Sequence, residues 1–112
     1  MDLPQGGWLL DAMTEGLLVH PFDGQGMYAP TYGQPYEMKV YLEEIDQRVQ
    51  RKNGEEVRAR LFCIVSGDSS IEEYDQVDYD GRRYEVIRTW KLRFEGAVDH
   101  VEFWCRSAAP SG

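Results

Sequence analysis

No apolar run in the chain approaches the roughly 20 residues that cross a bilayer as a helix. The amino terminus, MDLPQGG, has no basic stretch ahead of an apolar one and so lacks the signature of a secretory leader. A soluble chain made in the cytoplasm is the expectation. Positive charge is scarce as well. Twelve Lys and Arg stand against 20 Asp and Glu, a formal net charge of −8. A surface that acidic repels phosphate, which argues against nucleic-acid binding driven by counterion release. Cysteine is limited to Cys63 and Cys105, both on apolar parities of strand patterns. They read as buried, reduced thiols behaving as small hydrophobes.

The usual marks of catalysis are missing too. His20 and His100 fall in different strand patterns, without the short spacing of a zinc site. Grouping them with Cys63 and Cys105 provides no C-x₂-C pair, so histidines with ordinary sheet partners are the stronger reading. Gln76 to Ile87 imitates a calcium loop through Asp78, Asp80 and Gly81, but Gln76 and Ile87 occupy the first and last ligand positions. The bidentate carboxylate is therefore absent. Ser66-Gly67-Asp68 is an ordinary turn, not a nucleophile elbow. Glu43 and Glu44 point to opposite faces of a strand and cannot share a proton, and Glu72-Glu73 reads as solvated. Gly24-Gln25-Gly26 does not sit between a strand and a helix, which removes the phosphate-cradle reading. The expectation is a protein that is not an enzyme and has no metal or cofactor.

What is present reads as strand. A chain of 112 residues has room for one core, so residues 1–112 are read as one domain. Pro4 to Glu15 is the single helical pattern: Trp8, Leu9, Ala12 and Met13 share a face, and Gly16 is placed to end it. Leu17 to His20 is a short buried strand. Phe22 to Pro35 mixes glycine, proline and aromatics and reads as a wide hairpin connection with its tip at Gly24-Gln25-Gly26. From Tyr36 to Glu44, Tyr36, Met38, Val40 and Leu42 alternate with Glu37, Lys39, Tyr41 and Glu43, the period of a half-buried strand. A polar stretch with the hairpin signal Asn53-Gly54 follows. The chain returns with Val57, Ala59, Leu61, Cys63 and Val65 on one face, while Phe62 and Ile64 opposite them imply cover on both sides. Ile71 to Tyr74 reads as one 3₁₀ turn.

Asp80-Gly81 marks a type I′ hairpin, since both residues tolerate positive φ. The strand after it places Tyr84, Val86, Trp90, Leu92 and Phe94 on one face, with Arg88 and Ile87 breaking the alternation. Glu95-Gly96 turns the chain once more, into Val101, Phe103 and Cys105. The expected fold is all-β: a small antiparallel β-barrel or sandwich of about six strands with a short N-terminal helix. In that scheme residues 4–15 are the helix, 17–106 the barrel and 107–112 a disordered tail.

Four of these pieces also carry a likeness. They are T-Y-G-x-P at Thr31 to Pro35, N-G-E-E-V at Asn53 to Val57, D-Y-D-G-R-R-Y-E-V-I at Asp78 to Ile87, and D-H-V-E-F-W at Asp99 to Trp104. Their order, from Trp8 to Arg106, resembles the head-closure proteins of tailed bacteriophages, also called head-completion or stopper proteins. These are head–tail connectors built on a small β-barrel. The resemblance implies a ring on the portal–adaptor complex at the head vertex, which keeps packaged DNA in and presents a docking face for the tail. The implied partners are further copies of the chain, portal and adaptor proteins, and tail-terminator or tail proteins. Double-stranded DNA would pass through the channel without specific binding, and no membrane is involved. The implied location is the neck of the virion, after synthesis in the host cytoplasm.

The same resemblance assigns a channel-closing role to the hairpin Asp46-Gln47-Arg48-Val49-Gln50-Arg51-Lys52-Asn53-Gly54-Glu55-Glu56. A hairpin in an aqueous channel should be polar and mobile. Arg48, Arg51, Lys52, Arg58 and Arg60 would there touch the last segment of DNA or pair with acids of a neighbouring subunit. The plainer reading is cross-strand pairing with Glu43, Glu55 and Glu56. Phe22, Met27, Tyr28, Tyr32 and Tyr36 form a candidate contact with an adjacent subunit or ring, because exposed aromatics with Met are what interfaces use. Capping one end of the barrel is the equal alternative. Against the head-closure reading stand a tail-terminator or adaptor-type joining protein and, from another class, a monomeric β-barrel binding a peptide or small ligand.

Overall fold

The computed structural model describes residues 12–108, with every side chain in that span except that of Gln25. Eight strands follow in order: β1 Glu15–His20, β2 Phe22–Gln25, β3 Pro30–Tyr32, β4 Tyr36–Gln50, β5 Glu56–Ser66, β6 Gln76–Tyr79, β7 Arg82–Phe94 and β8 Ala97–Ser107. Six of them pair antiparallel in the order β1-β4-β5-β8-β7-β6, and β1 pairs with both β4 and β6, so the ladder closes on itself. β2 and β3 make a separate two-stranded ribbon. Tyr36 pairs with Val19, Val19 with Val77, Val77 with Tyr84, and Tyr84 with Ser107. Two residues along β8 from Ser107, Cys105 opposes Leu61 and Leu61 opposes Glu44, so the circuit returns to β4 well past its start. That stagger tilts the strands and lets few of them enclose a filled interior.

The interior holds the side chains that alternation assigns to it. Leu61, Cys63 and Val65 of β5 and Val101, Phe103 and Cys105 of β8 are buried together with Val19, Val40, Val77 and Val86. Both cysteines are free thiols. Burial, with the Cys63 thiol beside it, pushes the Cys105 thiol well up, so Cys105 acts as apolar filler. The expected turns form at Asp80-Gly81 (φ 52° and 76°) and at Glu95-Gly96 (φ 51° and 83°). Each has positive φ at both central residues, as a tight two-residue hairpin requires.

Several expectations are corrected. Ala12 is helical, but no helix stands among the described elements. Residues 4–11 of the expected helix lie outside the described residues, the Thr14 N–H donates to the Ala12 carbonyl in a tight turn, and Glu15 already opens β1. Gly16 pairs with Lys39 inside the ladder and caps nothing. Ile71 to Tyr74 is not a 3₁₀ turn: the chain bends at Tyr74, whose φ is +75°. Phe22 to Pro35 contains the β2–β3 ribbon, with its tip at Gly26–Ala29 and a bulge at Gly24. At the other end Ser107 still pairs with Tyr84, and the Ala108 N–H reaches the Arg83 carbonyl. Residues 109–112 of the expected tail lie outside the described residues.

Two bulges account for the remaining differences. β4 does not stop at Glu44 but runs to Gln50, with a register shift between Glu44 and Gln47. No turn residue interrupts it before Asn53-Gly54, and its distal half is polar apart from Ile45 and Val49. In β7 the register shifts between Val86, opposite Cys105, and Arg88, opposite Trp104. One extra residue on one strand sends every later side chain to the other face. Ile87 is the inserted residue and is buried. Trp90 and Leu92 therefore turn outward, opposite Glu102 and His100.

Candidate interaction surface

β1 pairs with β4 only as far as Val40, and β8 pairs with β5 only from Leu61 onward. The two long strands nonetheless continue to pair with each other to Gln50 and Glu56. Residues 45–60 thus form a two-stranded arm beyond the closed ladder, and it contains the whole hairpin singled out in the sequence. The turn at its end differs from the type I′ form that Asn53-Gly54 favours. Only Gly54 has positive φ (91°); its N–H donates to the Arg51 carbonyl at 2.9 Å, and the Arg51 N–H to the Glu55 carbonyl at 2.8 Å. That is the pattern of a three-residue turn closed by glycine.

The arm's arginines are engaged within the chain. Asp46 holds Arg58 at 2.9 Å and Arg60 at 3.9 Å, and Arg48 lies 4.0 Å from Glu56. All of these groups are well exposed, so each pair adds little stability. Glu43 pairs with none of them: it accepts the Tyr41 hydroxyl, and that hydrogen bond holds the Tyr41 phenol above its ordinary range. Arg51 is different. Its side chain is 5% exposed, and Nη1 lies 3.6 Å from Glu55 and 3.7 Å from Glu85. The guanidinium sits 4.8 Å above the Tyr74 ring, while Nε and Nη2 have no acceptor among the described residues. Next to it, the Gln50 carbonyl accepts from Arg88 Nη1 at 3.1 Å. The tip is therefore pinned against β7 and the turn at Tyr74, a more fixed position than polar composition alone implies.

The five aromatic and Met candidates divide. Phe22 packs edge-on to Tyr32 (centroids 6.1 Å apart) and against Tyr74 at 5.5 Å, and the Tyr36 hydroxyl lies 3.5 Å from Ser70 Oγ. Met27 and Tyr28, at the β2–β3 tip, are 88% and 95% exposed. The root of the ribbon thus packs against Tyr74, while its tip stands in solvent. The root is tied down by Asp75, which is buried. Its carboxylate accepts the Phe22 N–H at 2.8 Å and the Glu72 N–H at 2.9 Å. Burial raises the Asp75 pKa, and those two hydrogen bonds offset the rise only in part.

Between the arm tip and β7 lies an open cleft of about 540 Å³, with Arg51, Lys52, Arg88, Trp90 and Lys91 beside Glu72 and Glu73. Trp90, on its wall, is 55% exposed. Alternation assigns Trp90 to the core, and nothing in the sequence marks Tyr74 or Asp75 as a junction. The available signal is the paired break at Ile87 and Arg88, which marks the bulge that turns Trp90 outward.

The histidines are held by carboxylates. His20 Nε2 lies 2.9 Å from Asp78, whose other oxygen takes Arg83, and His100 Nδ1 lies 2.8 Å from Asp99. Desolvation opposes ionisation of Asp78, but His20 and Arg83 together bring its pKa below the ordinary value. No grouping of three or more His, Cys, Asp or Glu suited to a metal ion occurs among the described residues. No described helix is long and apolar enough to cross a membrane.

No family model matches the chain, and no curated protein is significantly similar to it. Among solved structures with a significant match is one described as the phage-like element PBSX protein xkdH from Bacillus subtilis. It is 14% identical with a TM-score of 0.49, over 83% of this chain and 92% of that one. A likeness of that degree decides neither fold nor role.

Proposed function

We propose that the chain is a structural component of a tailed-phage virion: a head-closure protein that forms a ring at the portal vertex. In this role it retains the packaged DNA and offers the tail its docking site. The observation that carries the reading is the arm at residues 45–60, which leaves a small closed barrel where the sequence resemblance puts the channel hairpin. Its charge arrangement supports the role. Asp46, Glu56, Glu55 and Glu85 engage Arg48, Arg51, Arg58 and Arg60. Lys52 is left as the arm's cation without a carboxylate in reach among the described residues. A wall with its cations occupied releases few counterions to a passing duplex and so does not hold it. The role is one of closure and contact, without catalysis, and its partners are portal, adaptor and tail proteins.

Retention of DNA is the direct assay. Filled heads carrying portal and adaptor but lacking this chain should leak their genome, and adding the purified protein should restore nuclease protection. Unchanged leakage on addition overturns the proposal.

A further inference from the structure

The first 38 residues contain neither Lys nor Arg, yet carry Asp2, Asp11, Glu15, Asp23 and Glu37. All 12 cations of the chain lie in the rest. The β2–β3 tip belongs to the cation-free part and presents Met27 and Tyr28 almost wholly to solvent, with the exposed Asp23 carboxylate on the same ribbon. The cleft beside the arm tip is richer in cations, although Glu73 and Glu72, the latter paired with Lys91, also line it. Lys52 and Arg88 have no carboxylate within ion-pair reach among the described residues, Trp90 stands half out of its wall, and Arg51 lies behind with two nitrogens lacking acceptors. The tip does not fill its own molecule's cleft, since Tyr28 is exposed.

We infer that the β2–β3 tip of one copy docks into the Arg51–Trp90 cleft of a second copy. This inference rests on the ring-forming reading above and names the surfaces that ring would use. Tyr28 and Met27 meet Trp90, as aromatic and thioether groups pack against rings. Asp23, the one carboxylate of the ribbon, approaches Lys52 and Arg88, the two cleft cations without a carboxylate of their own chain in reach among the described residues. Complementary charge of this kind selects the partner and the orientation. Because tip and cleft are different patches, the contact is head-to-tail, and successive copies close into a ring when the rotation allows. The arm tip also builds the receiving surface, because Arg51 and Gln50 hold it against β7 and so shape one wall of the cleft.

Cysteine cross-linking of the full chain tests this. Tyr28→Cys and Lys52→Cys lie at exposed positions, and the native thiols are fully buried. Under oxidised glutathione, Tyr28→Cys mixed with Lys52→Cys should give the disulfide dimer at least about tenfold faster than Tyr28→Cys mixed with Asp68→Cys, because docking raises the effective concentration of one pair only. Adding Trp90→Ala to the Lys52→Cys chain should remove most of that advantage. Equal rates for the two mixtures overturn the assignment. If rates are equal while a ring still assembles on the portal–adaptor complex, the docking assignment falls and the ring stands. If the cross-link is favoured but no ring assembles, the docking stands and the head-closure reading falls.

Discussion

The two long hairpins, β4–β5 and β7–β8, begin alike and end differently. Each contains a bulge in its first strand, β7–β8 has a further register shift near its turn, and each is closed by a glycine-containing turn. In β4–β5 the bulge at Glu44–Gln47 comes where the pair parts from its neighbours, and the arm beyond it is lined with charges paired to one another. In β7–β8 the bulge at Ile87 comes inside the ladder, so the strand stays with the barrel and its aromatics turn to the outside. One surface pairs all its cations but Lys52 with carboxylates of the same chain; the other exposes Trp90 and Phe94. The same local device, one extra residue, gives either a departure from the barrel or a reversal of face, depending on whether neighbouring strands still hold the pair.

The sharpest test of that contrast compares two phenylalanines of one hairpin. Phe103→Ala, in the core half of β8, should cost about 3–5 kcal/mol in urea denaturation. Phe94→Ala, near the turn and about half exposed, should stay within about 0.5 kcal/mol. Comparable losses would mean that the reversal of face at Ile87 is wrong.

Asp75 is next in size. Asp75→Ala leaves the Phe22 and Glu72 N–H groups without their acceptor and should cost about 2 kcal/mol. Its pH dependence has a definite sign. The folded-state pKa lies above the unfolded one, so the folded protein binds more protons between the two values. The group's contribution is fully present below the unfolded pKa and is lost as pH rises through the folded pKa. Asp78, lowered in the fold, acts oppositely: its contribution is present above the unfolded pKa and lost as pH falls through the folded one. Stability measured across the acid range should therefore gain a steeper acid-side fall in Asp75→Asn, and a shallower one in Asp78→Asn.

Arg51 gives a smaller effect with a distinctive pattern. Arg51→Ala removes the contacts to Glu55, Glu85 and Tyr74 and should cost about 1–2 kcal/mol, with faster amide exchange at Gly54. Arg51→Met keeps the packing and removes two buried nitrogens without acceptors, so it should be close to neutral. Equal losses in the two variants would show that charge, and not packing, pins the arm. Smallest of all, Met27→Ser with Tyr28→Ser should leave monomer stability within about 0.5 kcal/mol, because both side chains are in solvent. A fall of several degrees in melting temperature would assign the tip to capping instead.

Much of this fold is legible in the sequence. Strict alternation in β5 and β8 identifies the buried faces, and Asp-Gly and Glu-Gly place two turns correctly because their φ requirements are local. The arm's extent is not legible, since the mostly polar run from Ile45 to Gln50 looks the same in a loop and in a strand pair that has left the ladder. The start of β1 is hidden for a related reason: Glu15 and Gly16 are weak strand formers, held by pairing with Val40 and Lys39. The candidate contact residues are half legible. Exposed Met27 and Tyr28 follow from a glycine-rich tip, whereas the cleft needs the bulge and the folded position of Arg51, which join residues far apart in the chain.

Electron microscopy of the purified protein with the portal–adaptor complex of the same phage is the decisive test of the ring. The account predicts a closed ring added below the adaptor, with residues 46–56 facing the axis and the β2–β3 tip of each copy against the next. A complex without added density, and a protein that stays monomeric beside it, would contradict it.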